Sequence, residues 1–110
     1  MYGRSILIIW LIFTLYAASA QSDFRALDSA MYHNTLSGNW EEVISRGNEA
    51  LDEGIDYFYL RMRMGIASYN LDNYRAAVRH FRKARQFNPD NVTVNSYLYY
   101  AYGFSGRRPE

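Results

Sequence analysis

Between residues 58 and 91 the apolar positions fall at helical spacing on two successive stretches. In the second stretch Ala77, Val78, Phe81 and Ala84 form one stripe, with Arg75, Arg79 and Arg82 spaced to share another face. This pattern predicts two helices joined by a turn. Gly65, in the first, has no side chain and lets a neighbouring helix approach its backbone. Phe81, between the small residues Ala77 and Ala84, fills the space they leave. Asn73 is placed to cap the second helix. Pro89 cannot continue it, and Asp90 or Asn91 can start the next.

The same pattern appears one period earlier. Phe24 aligns with Phe58, Asn39 with Asn73, Trp40 with Tyr74, Ala50 with Ala84 and Asp56 with Asp90. Asp23 is expected to start a helix that Gly38 ends in the left-handed conformation. Asn39 and Glu42 read as a capping box for the following helix, which Gly54 ends, and Glu42 and Arg46 form a favourable pair one turn apart. Met31 stands where Gly65 stands in the next copy and Gly47 where Phe81 stands, two departures expected to compensate within one helix pair. A third copy starts at Val92 and is incomplete, with Gly106 one period after Asp72 and two after Gly38. Expected helices are 24–37, 40–53, 57–71, 74–87 and 92–104.

The residues Gly65, Tyr74, Ala77, Phe81, Ala84 and Pro89 resemble, in order and spacing, the tetratricopeptide repeat, a helix–turn–helix unit of about 34 residues with an A-x₃-F step and a closing proline. Trp40 and Ala50 occupy matching positions in the earlier copy. The resemblance implies an all-α repeat solenoid of about two and a half repeats: 24–57, 58–91 and a partial 92–110. It also implies a non-catalytic scaffold that binds a protein or peptide partner. First helices of stacked repeats line a concave side. Helical spacing then assigns Tyr32, Tyr59, Met62, Ile66, Tyr69, Asn70 and Tyr100 to a candidate peptide groove on which four tyrosines converge. Asp28, Tyr32, Met62 and Ile66 cannot form the carboxylate clamp of the chaperone-tail type of these repeats. Two and a half repeats leave Tyr97, Leu98, Tyr99, Tyr102 and Phe104 without full cover, so 92–104 is a candidate for self-association, and the chain is expected to continue, or find a partner, beyond Glu110.

Residues 1–20 read differently. Arg4 precedes an apolar run from Ile6 to Tyr16, and Ala18-Ser19-Ala20 is an A-x-A cleavage signal, the layout of a secretory signal peptide. The run is shorter than the roughly 20 residues of a membrane span. The expected mature domain is 21–110, exported to the periplasm or secreted. The alternative is an uncleaved anchor through 6–18, the only route to a membrane that the sequence offers.

Composition adds exclusions. There is no cysteine, hence no disulfide and no thiolate zinc site. Without Arg4, eleven basic residues face eleven acidic ones, so nucleic-acid binding is not expected. His33 and His80 are the only histidines, and neither sits in a ligand or nucleophile–base pattern, so no metal, cofactor or catalytic residue is assigned. Glu41, Glu42, Glu49, Asp52, Glu53 and Asp56 read as solvated helix surface, and the arginines of 61–85 as a matching basic face or a patch for an acidic partner. Asn91-Val92-Thr93 is a glycosylation sequon that helix capping explains equally well. The second reading of the whole is the leading repeat domain of a larger envelope protein whose activity lies beyond Glu110.

Overall fold

The computed structural model describes residues 2–106, and all regular structure among them is α-helical. The order is α1 (Tyr2–Leu36), α2 (Trp40–Asp52), α3 (Phe58–Asn70), α4 (Tyr74–Phe87) and α5 (Val92–Ser105). Contacts divide the chain into two units, Met1–Ala30 and Met31–Glu110.

In the first unit the apolar residues from Ile6 to Tyr16 are all solvent-facing. Asp23, expected to start a helix, lies inside α1 instead. The reason is local: Ala17-Ala18-Ser19-Ala20-Gln21-Ser22 contains no proline or glycine, so nothing interrupts the helix. The helix is therefore long and apolar enough to cross a membrane, although the apolar run itself is short. A signal sequence near the N-terminus has the same character.

The second unit is built from consecutive pairings, α2 on α3, α3 on α4 and α4 on α5. Met31 to Leu36, the end of α1, makes no comparably close pairing with α2, and a bulky methionine stands where α3 has Gly65. At Gly65 the packing is tight: a Cβ added there would lie 2.5 Å from the Phe81 ring. Phe81 is fully buried and stacks on Tyr97 at 5.0 Å, so the side chain of α4 is held between α3 and α5. The space at Gly47 is filled by Met64 of α3, whose Sδ would be 2.5 Å from an added Cβ. The compensation thus comes from the next helix along, with a long flexible side chain in place of a ring.

The turns repeat. Gly38, Asp72 and Gly106, spaced by 34 residues, all have positive φ (+73°, +59° and +76°). The amides of Asn39 and Asn73 each reach back to the carbonyls of Asn34 and Ser68 at 2.9 Å, closing the two helix ends in the same way. Asp72 tolerates the left-handed conformation without being glycine, and its carboxylate accepts a hydrogen bond from the Tyr74 hydroxyl at 2.9 Å. Asn73 and Asn91 cap α4 and α5 by accepting from the amides of Ala76 and Val94. Asn39 does not do this for α2. Its side-chain Nδ2 donates to Asn34 Oδ1, its backbone amide is taken by the Asn34 carbonyl and Glu42 is held by Arg46 at 2.7 Å, so the expected capping box is absent.

Tyr102 is 3% exposed, and its hydroxyl has no hydrogen-bond partner among the described residues. An unmade hydrogen bond on a buried hydroxyl costs about 1–3 kcal/mol. Tyr102→Phe is therefore expected to leave stability unchanged or raise it by about 1 kcal/mol, measured by urea unfolding. A loss of stability would reveal a partner for this hydroxyl.

Candidate functional site

Residues at one-turn spacing on α3 and the chain ends on either side of it enclose an open cavity of about 320 Å³. Tyr59, Met62, Arg63 and Ile66 supply the α3 side, Tyr32, Thr35 and Leu36 the end of α1, and Asn91 and Thr93 the start of α5. Met62 is buried and forms part of the apolar lining, whereas Tyr32 and Tyr59 are 48% and 58% exposed. The Arg63 guanidinium lies over both rings, 5.7 Å from the centroid of Tyr32 and 5.4 Å from that of Tyr59. This cation–π bridge fixes the two rings at the rim, a contact worth roughly 0.5–1 kcal/mol per ring at an exposed site.

The polar groups around the cavity are partly committed. The Thr35 hydroxyl donates to the Met31 carbonyl at 2.7 Å. The Asn91 side-chain oxygen is taken by the Val94 amide, which leaves the amide nitrogen as a donor for a ligand.

Of the seven groove residues expected from helical spacing, Tyr32, Tyr59, Met62 and Ile66 border this cavity and Tyr69, Asn70 and Tyr100 do not. Tyr69 instead meets Tyr74, Tyr97 and Phe104 edge-on at 5.4–6.0 Å. Asn70 turns its amide back to the Ile66 carbonyl at 2.8 Å. Tyr100 lines a second cavity of about 280 Å³ with Tyr99, Gly103 and Phe104. The four tyrosines thus divide among three places, Tyr32 and Tyr59 at the first cavity, Tyr69 in the ring cluster and Tyr100 at the second cavity. The cause is the preference of Tyr69 for neighbouring rings on α4 and α5, which helical spacing within one element cannot register.

The packing residues are distributed as follows. Ala50, Ala77, Phe81 and Ala84 are buried, Gly65 lies under the Phe81 ring, Trp40 and Tyr74 are half-buried, and Pro89 is exposed at the α4–α5 turn. The carbonyl of Pro89 accepts a hydrogen bond from the Asn95 side chain at 3.2 Å. Leu98 and Tyr102 of α5 are buried against α4, while Tyr99, Tyr100 and Phe104 are open. Residues 107–110, expected to begin a further helix, lie outside the described residues.

A polar stitch escaped the sequence reading. Arg61 of α3 holds the Asp56 carboxylate with two hydrogen bonds, at 2.8 and 2.9 Å, and its Nη1 lies 3.1 Å from His80 Nδ1 on α4. His80 is 8% exposed. Burial first, then the charges of Arg61 and Arg79, lower its pKa to about 4, against a smaller opposing effect of Asp56. The imidazole is therefore neutral near pH 7 and accepts from Arg61 at Nδ1. The available signal was the single histidine in an otherwise apolar and arginine-rich helix. Among the described residues no group of three or more histidines or carboxylates is placed to hold a metal ion.

No protein-family model matches the chain, and no solved structure matches it. Among characterised proteins, the Vi polysaccharide export protein VexE of Salmonella typhi is 39% identical over 61 residues. That match covers 52% of this chain and 9% of the relative, so the chain spans less than a tenth of the length of the protein it resembles.

Proposed function

We propose that residues 31–106 form a tetratricopeptide-type scaffold without catalytic activity, which binds an extended peptide or protein segment across the cavity beside Tyr59, and that the protein is exported. The observation that carries this reading is the cavity itself: two exposed tyrosines fixed by Arg63, an apolar floor and the Asn91 amide, all on first helices of successive units. Tyrosine rings give broad contact area at low entropic cost, and an asparagine amide suits backbone carbonyls. The 34-residue spacing of the left-handed turns and the seating of Phe81 on Gly65 support the repeat assignment.

Ala18-Ser19-Ala20 at the end of the apolar segment supports export by a cleaved signal, with 21–110 as the mature domain in the periplasm or outside the cell. Retention of α1 as an anchor is the alternative form of the same reading.

Peptides selected from a displayed library test the groove. They should bind the wild-type chain and lose at least ~10-fold in affinity with Tyr59→Ala, while circular dichroism shows the fold intact. Tyr69→Ala, by contrast, should lower stability through its ring contacts. Failure to select any binder, or binders indifferent to Tyr59→Ala, counts against the groove.

A second reading is favoured by the partial match. The helical unit would be the leading domain of a larger envelope protein, related to polysaccharide export as VexE is by name, with the main activity elsewhere in the polypeptide. The size of the native polypeptide in envelope fractions separates the two readings.

A further inference from the structure

We propose, on the reading of the Tyr59 cavity as a peptide groove, that its ligand is a proline-rich segment in the polyproline II conformation. The hydrogen-bonding inventory of the walls selects it. An ordinary extended peptide presents one N–H donor and one carbonyl acceptor per residue, and each needs a partner once water is excluded. This cavity offers donors more readily than acceptors. No carboxylate lines it, and Arg63 is its one charged side chain. The Asn91 side-chain oxygen is occupied by the Val94 amide, and its Nδ2 is a donor. The α1 wall closes its own carbonyls: those of His33, Asn34 and Thr35 accept from the amides of Ser37, Asn39 and Gly38. Those of α3 are engaged within the helix. Hydroxyl oxygens are the acceptors that remain.

A peptide therefore cannot join this surface as a strand joins a sheet edge, because its N–H groups would lack carbonyl partners. Proline removes the difficulty. It has no N–H, its carbonyl suits the Asn91 amide, and the polyproline II helix has no internal hydrogen bonds. An α-helical ligand would also satisfy its own N–H groups, but its carbonyls would be taken as well and would leave Asn91 Nδ2 unused. The shape agrees. Polyproline II segments dock on aromatic-lined grooves, and here Tyr32 and Tyr59 present exposed rings beside an apolar floor. Their centroids lie 5.7 and 5.4 Å from the same carbon of Arg63, so they are at most about 11 Å apart, and a polyproline II turn of three residues rises about 9 Å. Prolines at i and i+3 are thus within reach of both rings. The Arg63 bridge holds those rings before the ligand arrives, which reduces the ordering cost of binding.

The test uses the full 110-residue chain in detergent micelles and peptides selected on it from a random displayed library. Among binders that Tyr59→Ala weakens, prolines spaced by three are expected. Replacing one of these prolines by alanine restores an N–H and should weaken binding at least ~10-fold. N-methylalanine lacks that N–H, and it should bind at least ~3-fold more tightly than alanine at the same position. On the protein, Asn91→Asp keeps the α5 cap, so the urea midpoint should hold. It removes the Nδ2 donor and should weaken the proline peptide about 3- to 10-fold. Tyr59-dependent binders without proline, N-methylalanine no better than alanine, or indifference to Asn91→Asp would overturn the proline assignment and leave the groove standing. A selection that yields no binder dependent on Tyr59 would overturn both.

Discussion

Phe81→Ala is expected to lose about 3–5 kcal/mol of stability and Gly65→Ala about 1–3 kcal/mol, yet the two losses should not add. Phe81 is fully buried between Gly65 and Tyr97. Removing its ring leaves a cavity at the centre of the α3–α4–α5 packing. Adding a methyl group at Gly65 has the opposite fault: the new Cβ would lie 2.5–2.9 Å from three ring carbons, and the ring, stacked on Tyr97, cannot yield without moving α5. Once the ring is gone, alanine at 65 meets no clash and is the better helix former by roughly 0.5–1 kcal/mol. In the Phe81→Ala background the sign of Gly65→Ala should therefore reverse. A double-mutant cycle by urea unfolding measures this coupling. Additive losses would mean that the two residues do not meet. Gly47→Ala is the control. Its nominal clash is of the same size, but the obstructing atoms belong to the Met64 side chain, which has torsions with which to move. Its loss should be clearly smaller than that of Gly65→Ala.

These two glycines also show how far the sequence could be read. That Gly65 and Phe81 are both close-packing residues was legible from helical spacing, although not that they meet each other, and the repeat spacing located the turns at Gly38 and Gly106, the cap Asn73 and the Asp90–Asn91 pair of which Asn91 caps α5. Four helices lie within two residues of the expected spans at both ends, since each is bounded by a residue with a local reason to end it. The first is bounded only at Gly38. Its other end depends on where helix formers stop, and from Ser5 onward they do not. The candidate groove was half legible. Tyr59, Met62 and Ile66 share a face by spacing within one helix, whereas the loss of Tyr69 to the Tyr74–Tyr97–Phe104 cluster is a contact between elements. The Arg63 bridge and the Asp56–Arg61–His80 stitch have the same character. They join residues whose proximity follows from packing, not from periodicity.

The stitch makes stability sensitive to acid. In the unfolded chain His80 titrates near its ordinary value of 6.5, and in the folded chain near 4. Between those values the unfolded state binds the proton and the folded state does not, so acid favours unfolding. The contribution is fully present above about pH 6.5 and is lost as pH falls towards 4, where the folded imidazole finally protonates. With one proton involved, the total loss is at most about 3 kcal/mol. The geometry supplies the reason: protonated Nδ1 would turn a donor towards the Arg61 guanidinium 3.1 Å away, in a site nearly closed to water, while Arg61 remains bound to Asp56. Replacing the ring by an apolar one, His80→Phe, removes the titrating group and should flatten the stability curve between pH 6.5 and 4, whatever it does to stability at pH 7. Urea midpoints across that range for the two chains are the measurement. If the wild-type and His80→Phe curves ran parallel from pH 7 to 4, His80 would not be the group that acid attacks.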